Sequence, residues 1–390
     1  MIYWDNNATT PLAEEVFDCM KPFLRGVYAN PSAGYSFGKE VRSAIENARE
    51  EVAQLVGASP GEIVFTSGAT ESINTVLRGM VRMAPSKKLL CAANDHPAAL
   101  QTLRGLGSEG LCFPVECPVD AQGLIVKSSW DTALLDDLAG VSLTWANNET
   151  GVVQDVFSLA ESARHAGIPV HVDSVQALGK IAVNVREAGI DYASFSAHKL
   201  HGPKGTGALY VRSGVRLPSF IYGGDQEDGR RAGTENVAGI VGFGAASRLA
   251  RKSLEAHTGL VKIHRDRFES LLRQSLDEIH VLSESACRIP NTSNIRFERC
   301  AAQSLVLLLE PGGLLCSAGS ACKTASPKPS HVLTAMGLTD DEARTCLRFS
   351  LSPVTTSDEV DEAARLVIEA VSKVRSVQSS KTGSVMVYRP

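Results

Sequence analysis

Two helical stripes open the chain. Val16, Cys19, Met20 and Phe23 recur at the spacing of one helix face, behind Thr10-Pro11, a pair suited to the N-cap and first position of a helix. Val41, Ile45, Ala48, Val52, Leu55 and Val56 form a longer stripe, and Gly57 follows where a left-handed C-terminal cap is wanted. Short apolar runs then alternate with amphipathic stretches: Ile63-Val64-Phe65, Leu89-Leu90-Cys91, Val141-Ser142-Leu143, Val170-His171-Val172, Ala193-Ser194-Phe195 and Ala208-Leu209-Tyr210-Val211. Strands interleaved with helices predict a mainly parallel sheet, an α/β fold. From 234 to 279 the pattern is almost wholly helical. After it come a strand over 294–297, a helix over 302–310, a strand over 347–350 and a last helix carrying Val360, Ala364, Val367, Val371 and Val374. This organisation predicts a large α/β domain over 12–255, a smaller α+β domain built from 1–11 and 256–375, and a loose tail over 376–390.

Composition narrows the class. With 390 residues and 44% hydrophobic side chains, the chain can bury a large core. A net charge of −4, without a basic block, argues against nucleic acid or an anionic membrane as partner. No run of about 18 apolar residues spans a membrane, and Met1-Ile2-Tyr3-Trp4-Asp5 lacks the basic-then-apolar start of a secretory signal. The nine cysteines are odd in number, contain no CxxC pair and have no histidine at zinc-ligand spacing. We therefore expect no metal site, a cytoplasmic setting, and thiols that mostly serve as small buried apolar groups.

Three places could carry chemistry. Asp173, in His171-Val172-Asp173-Ser174-Val175-Gln176, sits where a strand delivers a carboxylate to the ligand-binding edge of an open sheet, although a helix-capping aspartate fits the same position. Lys199 follows the next strand, in Ser196-Ala197-His198-Lys199-Leu200-His201-Gly202-Pro203-Lys204-Gly205, where desolvation would favour a neutral, nucleophilic amine; Lys204 reads as a solvated surface lysine. Phe65-Thr66-Ser67-Gly68-Ala69-Thr70-Glu71 is a strand, a small-residue turn and a helix start, able to offer N–H groups to a phosphate. The chain contains no GxxxxGK[ST] loop, and Gly242-Phe243-Gly244 lies inside a helical stripe without a preceding strand. Together a phosphate turn, a strand-end aspartate and a strand-end lysine answer the needs of pyridoxal 5'-phosphate.

At this point the chain resembles the cysteine desulfurases, within the class V aminotransferase group of fold-type I pyridoxal-phosphate enzymes. The matching motifs are Asp5-Asn6-Asn7-Ala8-Thr9-Thr10-Pro11, Asn30-Pro31-Ser32, Phe65 to Glu71, His96-Pro97, Asn147-Asn148-Glu149-Thr150-Gly151, Asp173 to Gln176 and His198 to Gly205. They continue through Arg230-Arg231-Ala232-Gly233-Thr234-Glu235-Asn236, Ser320-Ala321-Cys322, Pro329-Ser330-His331-Val332 and Arg348-Phe349-Ser350-Leu351, so the resemblance covers nearly the whole chain. It implies a large domain with a seven-stranded, mainly parallel sheet between helices, and a smaller C-terminal domain.

By that resemblance Lys199 would bond the cofactor aldehyde, Asp173 would keep its ring nitrogen protonated, and Gln176 and Asn148 would contact its phenolic oxygen or the substrate. Ala69, Thr70, Ser196 and His198 would bind its phosphate, joined by Thr234 of the other subunit of a homodimer. His96 would stack on the ring and move protons, and Arg348 would hold the substrate carboxylate as a fork. Cys322 would attack the sulfur of L-cysteine, take it as a persulfide while L-alanine leaves, and pass it to an acceptor protein for iron-sulfur cluster assembly, tRNA thiolation or DNA phosphorothioation. The small-residue run Cys316-Ser317-Ala318-Gly319-Ser320-Ala321 before it suits a movable loop, and Cys316 is a second candidate thiol for a redox or backup role. Two departures stand out: Tyr35 where the family usually has histidine, and Ser352-Pro353 where it has Gly-Arg.

Overall fold

A computed structural model describes residues 1–319 and 329–382. The first half of the chain runs β1 (Ile2–Tyr3), α1 (Glu14–Arg25), α2 (Ser36–Val56), β2 (Ile63–Thr66), α3 (Ala69–Met83), β3 (Lys88–Ala92), α4 (Pro97–Ser108), β4 (Phe113–Cys117), α5 (Lys127–Ala133), β5 (Leu138–Thr144) and α6 (Val156–His165). The second runs β6 (Val170–Asp173), β7 (Tyr192–Ser196), β8 (Gly207–Val211), α7 (Val237–Ser275), β9 (Ile279–Val281), β10 (Thr292–Phe297), α8 (Ala302–Leu309), β11 (Leu314–Leu315), α9 (His331–Ala335), α10 (Asp340–Ala343), β12 (Cys346–Ser350) and α11 (Ser357–Thr382).

Seven strands make one sheet in the order β2-β8-β7-β6-β5-β3-β4, with β8 antiparallel to both neighbours and the pairs from β7 to β4 parallel. Successive side chains of a strand face opposite sides, and the two sides enter different cores. Ile63 and Phe65, Leu90, Val170 and Val172, and Ala208 and Tyr210 pack with α2, α6 and the start of α7. Val64, Leu89 and Cys91, Leu209 and Val211 pack with Ile73, Val76, Leu77 and Met80 of α3 and Leu100 and Leu103 of α4. A third core joins Ile2 and Trp4 to α7, α8, α11, β10 and β12, with Trp4 and Phe349 each 4.9 Å from the Phe268 ring.

Several expectations need correcting. The first helix begins at Glu14, not at Pro11, because the Thr10 hydroxyl donates to the His198 carbonyl and accepts from the His201 N–H, which ties the segment to the turn after β7. Gly57 does adopt the left-handed cap, at φ 72°. Position 255 lies within α7, which places Phe243 in the first core and Phe268 in the third, so the chain passes between cores inside a continuous helix. The expected loose tail is helical through Thr382; the first glycine beyond it is Gly383. β4 escaped the hydrophobic pattern because it is an edge strand carrying Pro114 and Glu116. No helix among the described residues is long and apolar enough to cross a membrane.

Candidate active site

Strands β3, β5, β6 and β7 end along one edge of the sheet, and the segments leaving them carry the titratable groups. Asp173 closes β6, and Lys199 closes the 3-10 turn Ala197–Lys199 that follows β7. Lys199 Nζ donates to the Asn7 and Ala8 carbonyls at 2.7 and 2.6 Å. Burial, reinforced by the Arg348 charge, lowers its pKa to about 8. Asp173 is buried, and one carboxylate oxygen accepts the Val175 N–H at 3.0 Å. Burial pushes its pKa up, while His96 and Lys199 pull it back, which puts all three in one electrostatic neighbourhood.

His96 caps α4, its Nδ1 accepting the Ala98 N–H at 3.1 Å. That bond leaves Nε2 to carry the proton of a neutral ring, the form favoured by the desolvation that lowers its pKa. Arg348, on β12, is buried; it donates to Asp5 at 2.5 Å and to the Asn148 carbonyl at 3.0 Å, and its Nε has no partner among the described residues. Gln176 is buried and donates to the Asn7 carbonyl at 2.9 Å, the carbonyl that Lys199 also uses.

A second end of the site forms at α3. Its first turn has no side-chain cap, so backbone N–H groups at Ala69 and Thr70 remain for a ligand. Gly207 of β8 lies opposite Ser196, and a Cβ there would come within 2.6 Å of the Gly68 Cα, so only glycine lets this helix start close on the end of β7. His198 accepts or donates at Thr9 Oγ1, 3.0 Å away, and burial lowers its pKa to about 4.

Residues 2–363 match the aminotransferase class-V family. The chain belongs to that family. A cysteine desulfurase of Sinorhizobium fredii is 40% identical over 376 residues, 96% of this chain and 97% of the relative. A solved NifS-like protein superposes with a TM-score of 0.88 at 35% identity, covering 95% of this chain and 99% of its own. SspA, solved in complex with cysteine, superposes at 0.81 with 34% identity, covering 91% and 100%. Class-V enzymes of this kind depend on pyridoxal phosphate.

This class-V chain has a donor set that fits that group. A phosphate would meet free N–H groups at Ala69 and Thr70, a ring nitrogen the buried Asp173 carboxylate, and an aldehyde the partly neutral Lys199 amine. The unpartnered Arg348 Nε is a donor left for a carboxylate. Of the expected site residues, Lys199, Asp173, His96, Gln176, Asn148 and Arg348 come together, Ser196 lies with Ala69 and Thr70 at the α3 end, and His198 contacts Thr9 and Thr10 of the arm. Thr234 is exposed, at the mouth of a cavity of about 150 Å³ that Ser67, Thr206 and Asn236 also line.

The arginines beside Thr234 are both engaged within the chain: Arg231 pairs with Glu71 at 2.9 Å, and Arg230 donates to the Gly61 carbonyl. Glu227, buried and paired with Arg49 at 2.7 Å, anchors this loop to α2. Cys322 lies outside the described residues. Cys316 is half-buried, and burial pushes its thiol up to about 12, which keeps it protonated. Cys91, Cys112, Cys117, Cys300 and Cys346 are buried, as expected for most of the thiols, while Cys287 is exposed and Cys19 half-buried.

Several functional neighbours were not assigned from sequence. Asn7 orients Lys199 and Gln176 through its backbone and ties the arm to β10 through Thr292. Asp5 holds Arg348, and buried Asp95 accepts N–H bonds from Ala92 and Thr144 just before His96. The motif Asp5 to Pro11 was a signal for the first two, since a polar run at the chain start has no local partner of its own.

Proposed function

We propose that this protein is a cytoplasmic, homodimeric cysteine desulfurase that uses pyridoxal 5'-phosphate to convert L-cysteine to L-alanine and hands the sulfur, through a persulfide on Cys322, to an acceptor protein. The acceptor would serve iron-sulfur cluster assembly, tRNA thiolation or DNA phosphorothioation, which all begin with the same persulfide. The observation that carries the reading is the Lys199 amine, lowered to about pKa 8 and gathered with the buried Asp173 and Arg348 at one sheet edge. Relatives named cysteine desulfurase, and one solved with cysteine bound, support the substrate.

When bound, pyridoxal phosphate supplies an aldehyde for amines and a protonated ring that draws electrons from the substrate carbon. Lys199 Nζ holds that aldehyde and moves the proton at the substrate α-carbon. Asp173 keeps the proton on the ring nitrogen, and Gln176 and Asn148 orient the phenolic oxygen and the substrate. His96, neutral with its proton on Nε2, can stack on the ring and deliver a proton. Ala69, Thr70, Ser196 and His198, with Thr234 of the second subunit, hold the phosphate. Arg348 orients the substrate carboxylate. The Cys322 thiolate forms a bond to the substrate sulfur as the carbon–sulfur bond breaks, and the electron pair left on carbon takes a proton to give alanine.

The test is spectroscopic and chemical together. Protein loaded with pyridoxal phosphate should show a visible band that shifts on adding L-cysteine, with free alanine appearing. A shift without alanine, or a protein that never acquires the band, overturns the reading.

A further inference from the structure

Lys180 is a buried lysine with no carboxylate beside it among the described residues. It ends the turn after β6, four residues beyond Gln176, so the two side chains share one face of a helical turn. Its Nζ donates to Gln176 Oε1 at 2.5 Å. The charges that act on it are cations, Lys199 and Arg348, and together with burial they favour its neutral form.

The Gln176 amide is thereby held at both ends. The Asn7 carbonyl can only accept, so Nε2 faces it, and Oε1 is left to Lys180. Lys199 donates to the same Asn7 carbonyl, which places the Gln176 amide beside the Lys199 amine. We propose that Lys180 is a positioning residue: by occupying Gln176 Oε1 it keeps the N–H2 end of that amide, and not its oxygen, turned toward the bond that Lys199 makes with the cofactor. The inference rests on the function proposed above.

Without Lys180, a buried oxygen loses its donor, and the Lys199 amine, which shares the Asn7 carbonyl with this amide, is a donor at hand. The amide oxygen would then hold a proton on Lys199, and the visible band of the loaded protein would titrate at higher pH. Asp173, His96, Asp5 and Arg348 also face Lys199 and remain unchanged in this comparison.

The experiment is a double-mutant cycle on the loaded protein: wild type, Lys180→Met, Gln176→Met and the pair, each titrated through its visible band. Lys180→Met should raise the midpoint by roughly one pH unit, about one hydrogen bond's worth. In the Gln176→Met background it should add almost nothing, because its route of action is gone. Equal shifts in both backgrounds would mean that Lys180 acts as a charge and would overturn the proposal, as would an unchanged midpoint in Lys180→Met. If Lys180→Met fails to fold, Lys180→Gln keeps an N–H donor without charge: a midpoint close to the parent supports the hydrogen bond, and equal shifts in both backgrounds contradict it. A wild-type protein with no visible band would instead overturn the function itself.

Discussion

Lys199 and Lys204 belong to the same turn and differ in what surrounds them. Lys199 is hemmed in by the arm carbonyls of Asn7 and Ala8, while Lys204 is exposed. Lys199→Ala should abolish both the visible band and alanine release, whereas Lys204→Ala should keep both; turnover by the Lys199 variant would contradict the assignment. Because the neutral amine is the nucleophile, the rate at which apo protein takes up pyridoxal phosphate should climb as pH rises through about 8 and then level off. A rate that keeps climbing toward the pKa of an ordinary lysine would contradict the lowered pKa. Lys199 and Asp173 were legible because each sits in a motif at a strand end, and Arg348 because it opens the motif Arg348-Phe349-Ser350-Leu351 in β12. Asp5 and Asn7 lie in a recognisable motif, but their roles were not legible, and neither was that of Lys180: they act through a partner more than three hundred residues away, a backbone carbonyl and a side-chain amide, none of which a local pattern encodes.

The strands were legible where alternation feeds two cores and illegible where it does not, as in the edge strand β4. His171, in the middle of β6, shows what the central strands demand of a polar residue. Its ring bridges Ser142 on β5 at 2.9 Å and Ser194 on β7 at 2.8 Å, and full burial lowers its pKa to about 3. The unfolded chain binds a proton at His171 near pH 6.5 and the folded chain does not, so this residue favours unfolding as pH falls from about 6.5 toward 3. The loss amounts to about 2 kcal/mol by pH 5. The Tm gap between wild type and a His171→Gln variant should therefore narrow between about pH 7 and pH 5, and a gap that stays constant would mean the imidazole is not buried neutral. The misplaced start of α1 has a different cause: Thr10 has the right chemistry for a cap, but its hydroxyl is engaged at His198 and His201, a tertiary contact that overrides the local signal.

At the scale of the whole molecule, α7 joins the sheet core to the third core, and the arm from Ile2 to Thr10 runs from that third core to the turn bearing Lys199, so the site is assembled from both ends of the chain. The exposed Thr234 would complete the phosphate end of a second subunit. Inactive Thr234→Arg and Lys199→Ala protomers, mixed in equal amounts with subunit exchange, should then recover about a quarter of wild-type activity, since each mixed dimer has one intact site. Exchange without recovery would mean that each site is completed within one chain. The central claim is the transfer of sulfur from cysteine to the protein, and the peptide containing Cys322 reports it most directly. After L-cysteine is added to loaded protein without an acceptor, mass analysis should find that peptide heavier by one sulfur atom, in step with the alanine formed, and Cys322→Ser should give neither. Alanine formed by the Cys322→Ser protein at the normal rate, or sulfur retained on Cys316 or Cys287 instead, would contradict the account.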